Sequence, residues 1–382
     1  DHRRTNAVFL PQVELSYTAF TTNNPLMAFG SKLNQEAVTA QDFNPALLND
    51  PDQIENFATE IAVNQPILNF DGIYQRSAAN AKMEAVNKKR ERIRDGMRLE
   101  LKKNYNSLQL SYESLVVIKK AEALAEEGLN MIKDYFEEGL VKKADLLQAE
   151  LQLQYLQTKE ASVKKQIVEL SMLLSYLIDE ERIDLIYKPK EALDTNYNPI
   201  TEKVLLNEDR ADISAMYDAA EAYKKMSTAS KMSFLPRLNA FGRYQMYDDE
   251  FLQADANGFL IGARLSWSLF SGYDRIAQSE KAKIKYLKAS HEADQYLSKS
   301  RLELAKTTEH LRLLEFKIKQ QKIIIEQARE AYKIRKDRFS EGLEKTTDLL
   351  ESELTLFQSE FEAKQLLFEY NLTKAYLNFL SI

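Results

Sequence analysis

Polar and apolar residues alternate in four short stretches of the chain. Elsewhere they recur at helical spacing. Within residues 9–22, Val13, Leu15, Tyr17 and Ala19 fall on one side and Gln12, Glu14, Ser16 and Thr18 on the other. A period of two is that of a strand with one apolar and one polar face. Residues 57–70 form a second such strand: Thr59, Ile61 and Val63 oppose Glu60, Ala62 and Asn64, with a bend at Pro66. Asn69-Phe70-Asp71-Gly72 is expected to close this pair, and residues 23–55, rich in Asn, Asp and Pro, to form a long loop. A third stretch sets Leu238, Ala240, Gly242, Tyr244 and Met246 against Asn239, Arg243 and Gln245, with Phe241 the misfit on the polar side. The fourth sets Ile261, Ala263, Leu265, Trp267 and Leu269 against Gly262, Arg264, Ser266 and Ser268.

Long helices are predicted between these strands. Runs from Ile73 to Glu138 and from Tyr273 to Glu341 are each roughly 100 Å long at ~1.5 Å per residue, far beyond globular helices. In the run 141–178, Ala149, Leu153, Leu156, Glu160, Val163, Ile167, Leu170, Leu174 and Leu177 follow alternating steps of four and three. That is a coiled-coil seam, broken only by Glu160. Residues 179–207, with Pro189, Pro199 and a turn at Asp194-Thr195-Asn196, are expected to form an irregular, partly helical connector. Helices are predicted again over 208–232 and 343–380.

The chain is one unit written twice. Asp134–Leu151 and Asp337–Leu354 are identical at 11 of 18 positions, at an offset of 203 residues. Phe9-Leu10-Pro11 recurs as Phe234-Leu235-Pro236, and Phe70-Asp71-Gly72 as Phe270-Ser271-Gly272. Each copy breaks a helix at Glu-Gly-Leu, where Gly139 and Gly342 suit the left-handed residue that ends a helix. Asp145 with Gln148, and Asp348 with Glu351, have the spacing of a helix start. The segments are therefore 1–72, a β-hairpin with a long loop; 73–178, a helical hairpin; 179–207, a connector; 208–232, a short helix; 233–272, a second β-hairpin; and 273–382, a second helical hairpin. The repeat predicts a helix ahead of Phe9, so the start at Asp1 reads as a mature or truncated product.

Composition narrows the function. The net charge of −6 weighs against nucleic acid, and the cluster Lys88, Lys89, Arg90, Arg92 and Arg94 reads as a solvated helix face. No cysteine is present, so disulfides and thiolate metals are excluded. No apolar run reaches the ~18 residues of a membrane-spanning helix. His2, His291 and His310 are scattered, and no nucleophile–base pair or phosphate loop appears. The expectation is neither an enzyme nor a protein holding a metal or cofactor. Nineteen Tyr and 18 Phe are many for a plain coiled coil, and Trp267 with the strand tyrosines suits a membrane-interface girdle. Arg237, Arg243 and Arg264 read as solvated residues of a lumen.

Strands that are apolar on one face and polar on the other suit a membrane β-barrel. Four cannot close a bore, so several chains must share one wall; a trimer would supply twelve strands. A structural or adaptor-like coiled-coil protein without a pore is the competing reading.

On the doubled strand–strand–helix–helix layout, the repeated Phe-Leu-Pro and the Phe-x-x-Gly-Leu…Asp-Leu-Leu tips, the whole chain resembles the TolC-like outer-membrane efflux proteins. The resemblance implies a mainly α-helical fold with four membrane strands per chain and a homotrimeric 12-stranded barrel above an α-helical tunnel. It implies the outer membrane of a Gram-negative bacterium, with lipid around the barrel and a long periplasmic extension. It implies partners too: a periplasmic adaptor and an inner-membrane pump. Adaptor docking would fall at Gly139, Leu140, Gly342 and Leu343, and the pore constriction at Asp348 and Glu351. In that family the tip turn is Val-Gly-Leu-like, whereas here Glu138 and Glu341 precede the glycines.

Overall fold

The computed structural model describes residues 3–194 and 204–382. Asp1, His2 and residues 195–203, with the turn expected at Thr195-Asn196 and with Pro199, lie outside the described residues. Strands β1 (Gln12–Thr22), β2 (Ile54–Leu68), β3 (Arg237–Asp248) and β4 (Ala256–Ser266) form one antiparallel sheet in the order β1-β2-β3-β4. The two hairpins are thus joined edge to edge, β2 to β3. The helices are α1 (Pro25–Asn34), α2 (Pro45–Asn49), α3 (Phe70–Glu137), α4 (Lys143–Leu177), α5 (Ala211–Met232), α6 (Asp274–Ser340) and α7 (Thr346–Ser381).

The chain divides into two compact units. One comprises Asp1–Lys88 and Ile213–Asp294, the other Lys89–Asp212 and Gln295–Ile382. The first holds the sheet. Its long loop is not a loop throughout: α1, α2 and a 3-10 turn at Ala40–Phe43 occupy it. The reason is local. Asn24 and Asn44 each precede a proline, and their side chains accept from the N–H of Met27 (3.3 Å) and Ala46 (3.1 Å). An Asn N-cap followed by Pro is a helix start as well as a breaker. The Asn69–Gly72 turn is likewise the first turn of α3, with the Asn69 side chain accepting from the Gly72 N–H.

The second unit holds the coiled-coil packing. Ala149, Leu156, Val163, Ile167 and Leu174 of the predicted seam are buried, and Leu153 and Leu170 pack against them. The break at Glu160 is neutralised by Lys164 at 2.7 Å and Lys119 at 3.9 Å. Among the described residues the connector holds no helix. It is anchored by Tyr187, whose carbonyl accepts from Tyr112 Oη (3.1 Å) and whose N–H donates to Ser171 Oγ (3.1 Å). Helix α5 begins at Ala211, later than predicted, because Asn207 holds Asp209 and Arg210 in a turn.

Candidate functional site: sheet faces and helix tips

Residues paired across an antiparallel sheet point to the same face. Val13, Val63, Gly242 and Ile261 therefore form one row across all four strands, and Leu15, Ile61, Tyr244 and Phe259 the next. Val13, Leu15, Ile61, Tyr244, Phe259 and Ile261 are all exposed. Gln12, Asn64, Phe241 and Gly262 share the opposite face, with Ser16, Glu60, Gln245 and Gly258. Through the middle of the sheet one exposed face is thus apolar and the other carries the charges; Glu55 and Asp248, near the loop end, fall on the apolar side.

The three arginines on the charged side have partners rather than being merely solvated. Arg237 grips Asp71 through two hydrogen bonds, at 3.2 and 2.5 Å. Arg243 lies 3.9 Å from Glu60, which also accepts from Gln245 at 2.5 Å. Arg264 stacks over Phe241 at 5.5 Å. Phe241, the misfit, has a physical reason. The far end of its ring lies against Gly262, where a Cβ would meet it at 2.9 Å. The alternation places Phe241 correctly; the partner that makes it tolerable is on the neighbouring strand.

At the end of the sheet where both halves enter it, Phe9 carries Arg76 at 5.5 Å and Phe234 carries Arg275 at 5.7 Å. Trp267 is exposed and donates to the Phe234 carbonyl at 3.0 Å. Leu269, Phe270 and Tyr273 are exposed close by in sequence. An aromatic band mixed with cations at this position is the composition of a membrane interface.

In the other unit, both tips end their helices in the same way. Gly139 has φ +75° and Gly342 φ +72°, a backbone region in which a side chain is strained. Gly139 N–H bonds the Phe136 carbonyl and Leu140 N–H that of Tyr135. Gly342 bonds Phe339 and Leu343 bonds Arg338 in the same pattern. This is the Schellman arrangement, in which the residue after the glycine normally finds an apolar contact. Here Leu140 and Leu343 are both 67% exposed. Tyr135 Oη donates to the Ser340 carbonyl at 3.0 Å, tying one tip to the other.

The pairs just past the tips behave differently from a simple helix start. Helix α4 begins at Lys143, so Asp145 is in its first turn and accepts from the Lys142 N–H at 3.0 Å; Gln148 plays no capping part. Asp348 sits likewise in the first turn of α7, half-buried, and Arg335 donates to its backbone carbonyl at 2.8 Å. Glu351 is exposed one turn on. A first-turn carboxylate is favoured by the helix dipole in either case.

Sequence reasoning missed two groups. Arg92 is not on a solvated face: it is ion-paired to Asp212 at 3.2 Å and stacked over Phe379 at 3.4 Å. Lys88 bridges Asp218 at 2.7 Å. Glu353 of α7 is buried although it is a carboxylate.

A sheet with an exposed apolar face and a charged opposite face, on a chain otherwise made of long helical hairpins, is the arrangement that the subunit of a channel wall would need. The family model described as outer membrane efflux protein matches residues 204–381. No curated protein sequence matches the chain. The fold is shared with solved outer-membrane channels. The Campylobacter jejuni CmeC outer membrane channel has a TM-score of 0.84 at 16% identity, over 99% of this chain and 79% of that one. The outer membrane protein VceC of Vibrio cholerae has 0.83 at 18% identity, over 100% and 89%. The open state of the Neisseria gonorrhoeae MtrE outer membrane channel has 0.77 at 14% identity, over 100% and 82%. The likeness to the outer-membrane efflux proteins read from the sequence is borne out, by sequence over residues 204–381 and by fold throughout.

Proposed function

We propose that the protein is the passive exit duct of a tripartite efflux or type I secretion system in the outer membrane of a Gram-negative bacterium. Three copies share one 12-stranded barrel, and their helical hairpins line a periplasmic tunnel. The observation that carries this reading is the pair of apolar rows exposed across all four strands. A soluble sheet would cover them, which also disfavours the pore-free adaptor reading. The exposed Leu140 and Leu343, held on rigid turns, suit docking of an adaptor. Asp348 and Glu351, three residues apart, share a helix face, and three copies would ring a constriction with six carboxylates. Nothing in this role calls for catalysis.

Two measurements test it. The detergent-solubilised protein should have the mass of a trimer; a monodisperse monomer that needs no detergent would overturn the reading. In planar bilayers the channel should prefer cations. Replacing Asp348→Asn and Glu351→Gln together should cut that preference by on the order of tenfold, because a ring of like charge concentrates counter-ions in a narrow pore. Unchanged selectivity would remove these residues from the constriction and leave the duct reading intact.

A further inference from the structure

One carboxyl group near the constriction has no part in the proposed gate. Glu353 lies two residues beyond Glu351 but on the inward side of α7, only 3% exposed. Its Oε1 has no hydrogen-bond partner. All four helices of the tips meet around it. Helix α3 brings Glu127 and Gly128, α4 brings Gln152, and α6 brings Tyr332 and Lys336. A Cβ added to Gly128 would stand 3.6 Å from Glu353 Oε2, so the helices approach closely at this point. Lys336, the cation on this face, is bound to Glu127 at 2.8 Å.

The internal repeat sharpens the observation. The equivalent of Glu353 in the first tip is Glu150, which is exposed. One glutamate of the duplicated pair is thus solvated. The other is packed into the core of the second tip, against Tyr332 and beside the cluster of Ile132, Leu349, Leu350 and Leu356. A buried carboxylate without a full set of partners is costly, while the neutral acid is tolerated.

We infer that Glu353 is a protonation switch for the second tip. Neutral, it lets α7 seat against α3, α4 and α6; ionised, it loosens that seat and frees the turn that carries Asp348 and Glu351. Its effect on packing stands alone, whereas its effect on conduction rests on the proposed gate. Burial is the main reason the carboxyl is pushed up to about 7, with Glu127 adding to the rise and Gln152 and Lys336 opposing it. Burial also raises the Tyr332 hydroxyl, with Glu353 and Glu127 adding to it. A carboxyl raised on folding holds its proton more tightly in the packed state. Its contribution is whole below the unpacked value of 4.5 and is lost as pH rises through about 7. The tip is therefore tight in acid and loose in mild alkali.

The chain has no cysteine, so a single nitroxide on Leu343→Cys reports the tip alone. Its spectrum should pass from immobilised to mobile between about pH 5.5 and about pH 8.5, as one titrating group requires. With Glu353→Gln the spectrum should stay immobilised throughout, and Glu353→Leu should do the same if the glutamine variant folds poorly. A flat wild-type spectrum, or the same titration in Glu353→Gln, overturns the switch. Channel opening in bilayers, followed over the same range, should rise in the wild type and not in Glu353→Gln. A tip that loosens with no change in conductance upholds the switch and sinks the gate.

Discussion

Replacing Asp212 with alanine should destabilise the helical unit by about 3–5 kcal/mol, the usual result of removing the counter-ion from a buried cation. Two guanidinium groups converge on this carboxylate. Arg210 holds it through Nε at 2.6 Å and Nη2 at 3.0 Å, and Arg92 Nε lies at 3.2 Å. The Tyr296 hydroxyl donates to it at 2.7 Å. The Arg210 side chain is only 2% exposed, so water cannot take the place of the lost partner. Both arginines also hold the end of α7: Arg210 donates to the Leu380 carbonyl at 2.6 Å and Arg92 to that of Phe379 at 2.8 Å. Cations at a helix C-terminus satisfy its last carbonyls and oppose its dipole. Without Asp212 the two positive charges would face each other in a desolvated site. Thermal unfolding followed by circular dichroism is the measurement, and a midpoint unchanged from the wild type would mean the site is wetter than the structure shows.

The pH dependence gives the same prediction a second handle. Burial alone would raise the Asp212 carboxyl, but the hydrogen bonds from Arg210 and Tyr296 and the charges of Arg210 and Arg92 hold it below its ordinary value of 3.8. A depressed carboxyl contributes stability above its unfolded value and loses it as pH falls through the folded one. The gap between wild type and Asp212→Ala should therefore be full at neutral pH and narrow only below 3.8.

What was legible in the sequence follows from where each signal lives. The strands were readable because alternation is local, and Val13, Leu15, Ile61 and Ile261 fall on the face assigned to them. The tips were readable because the chain writes them twice, and both glycines take the left-handed conformation. The seam over Ala149–Leu174 was readable because a coiled coil repeats its demand every few residues. The misses are all partner effects. Asn-Pro served as a helix start in the long loop because the helices there found something to cap. Arg92 looked like its neighbours in a basic run, and only the fold brings Asp212 and the end of α7 to it. Glu150 and Glu353 are the same letter at the same place in the repeat, yet one is exposed and the other buried. No single-chain pattern separates them, because the difference is made by the helices packed around α7.

The face assignment of the sheet yields the sharpest remaining test, since two neighbouring residues should give opposite results. Ile261 sits in the apolar row with Val13, Val63 and Gly242, while Leu260 lies opposite Arg243 on the charged face. An arginine on the lipid side of a barrel strand costs about 2–4 kcal/mol at the bilayer midplane, because nothing in the hydrocarbon solvates it. Ile261→Arg places that charge in every copy of the assembled wall, so it should abolish folding into outer-membrane lipid. In the proposed barrel, Leu260→Arg faces an aqueous lumen. There its penalty is the cross-strand repulsion from Arg243, no more than about 1 kcal/mol. Refolding both variants into vesicles, with heat-resistant migration on a gel as the readout, separates the cases. If Leu260→Arg fails and Ile261→Arg inserts, the sheet is turned the other way. If neither fails, the exposed rows do not meet lipid at all, and another surface of the assembly must cover them.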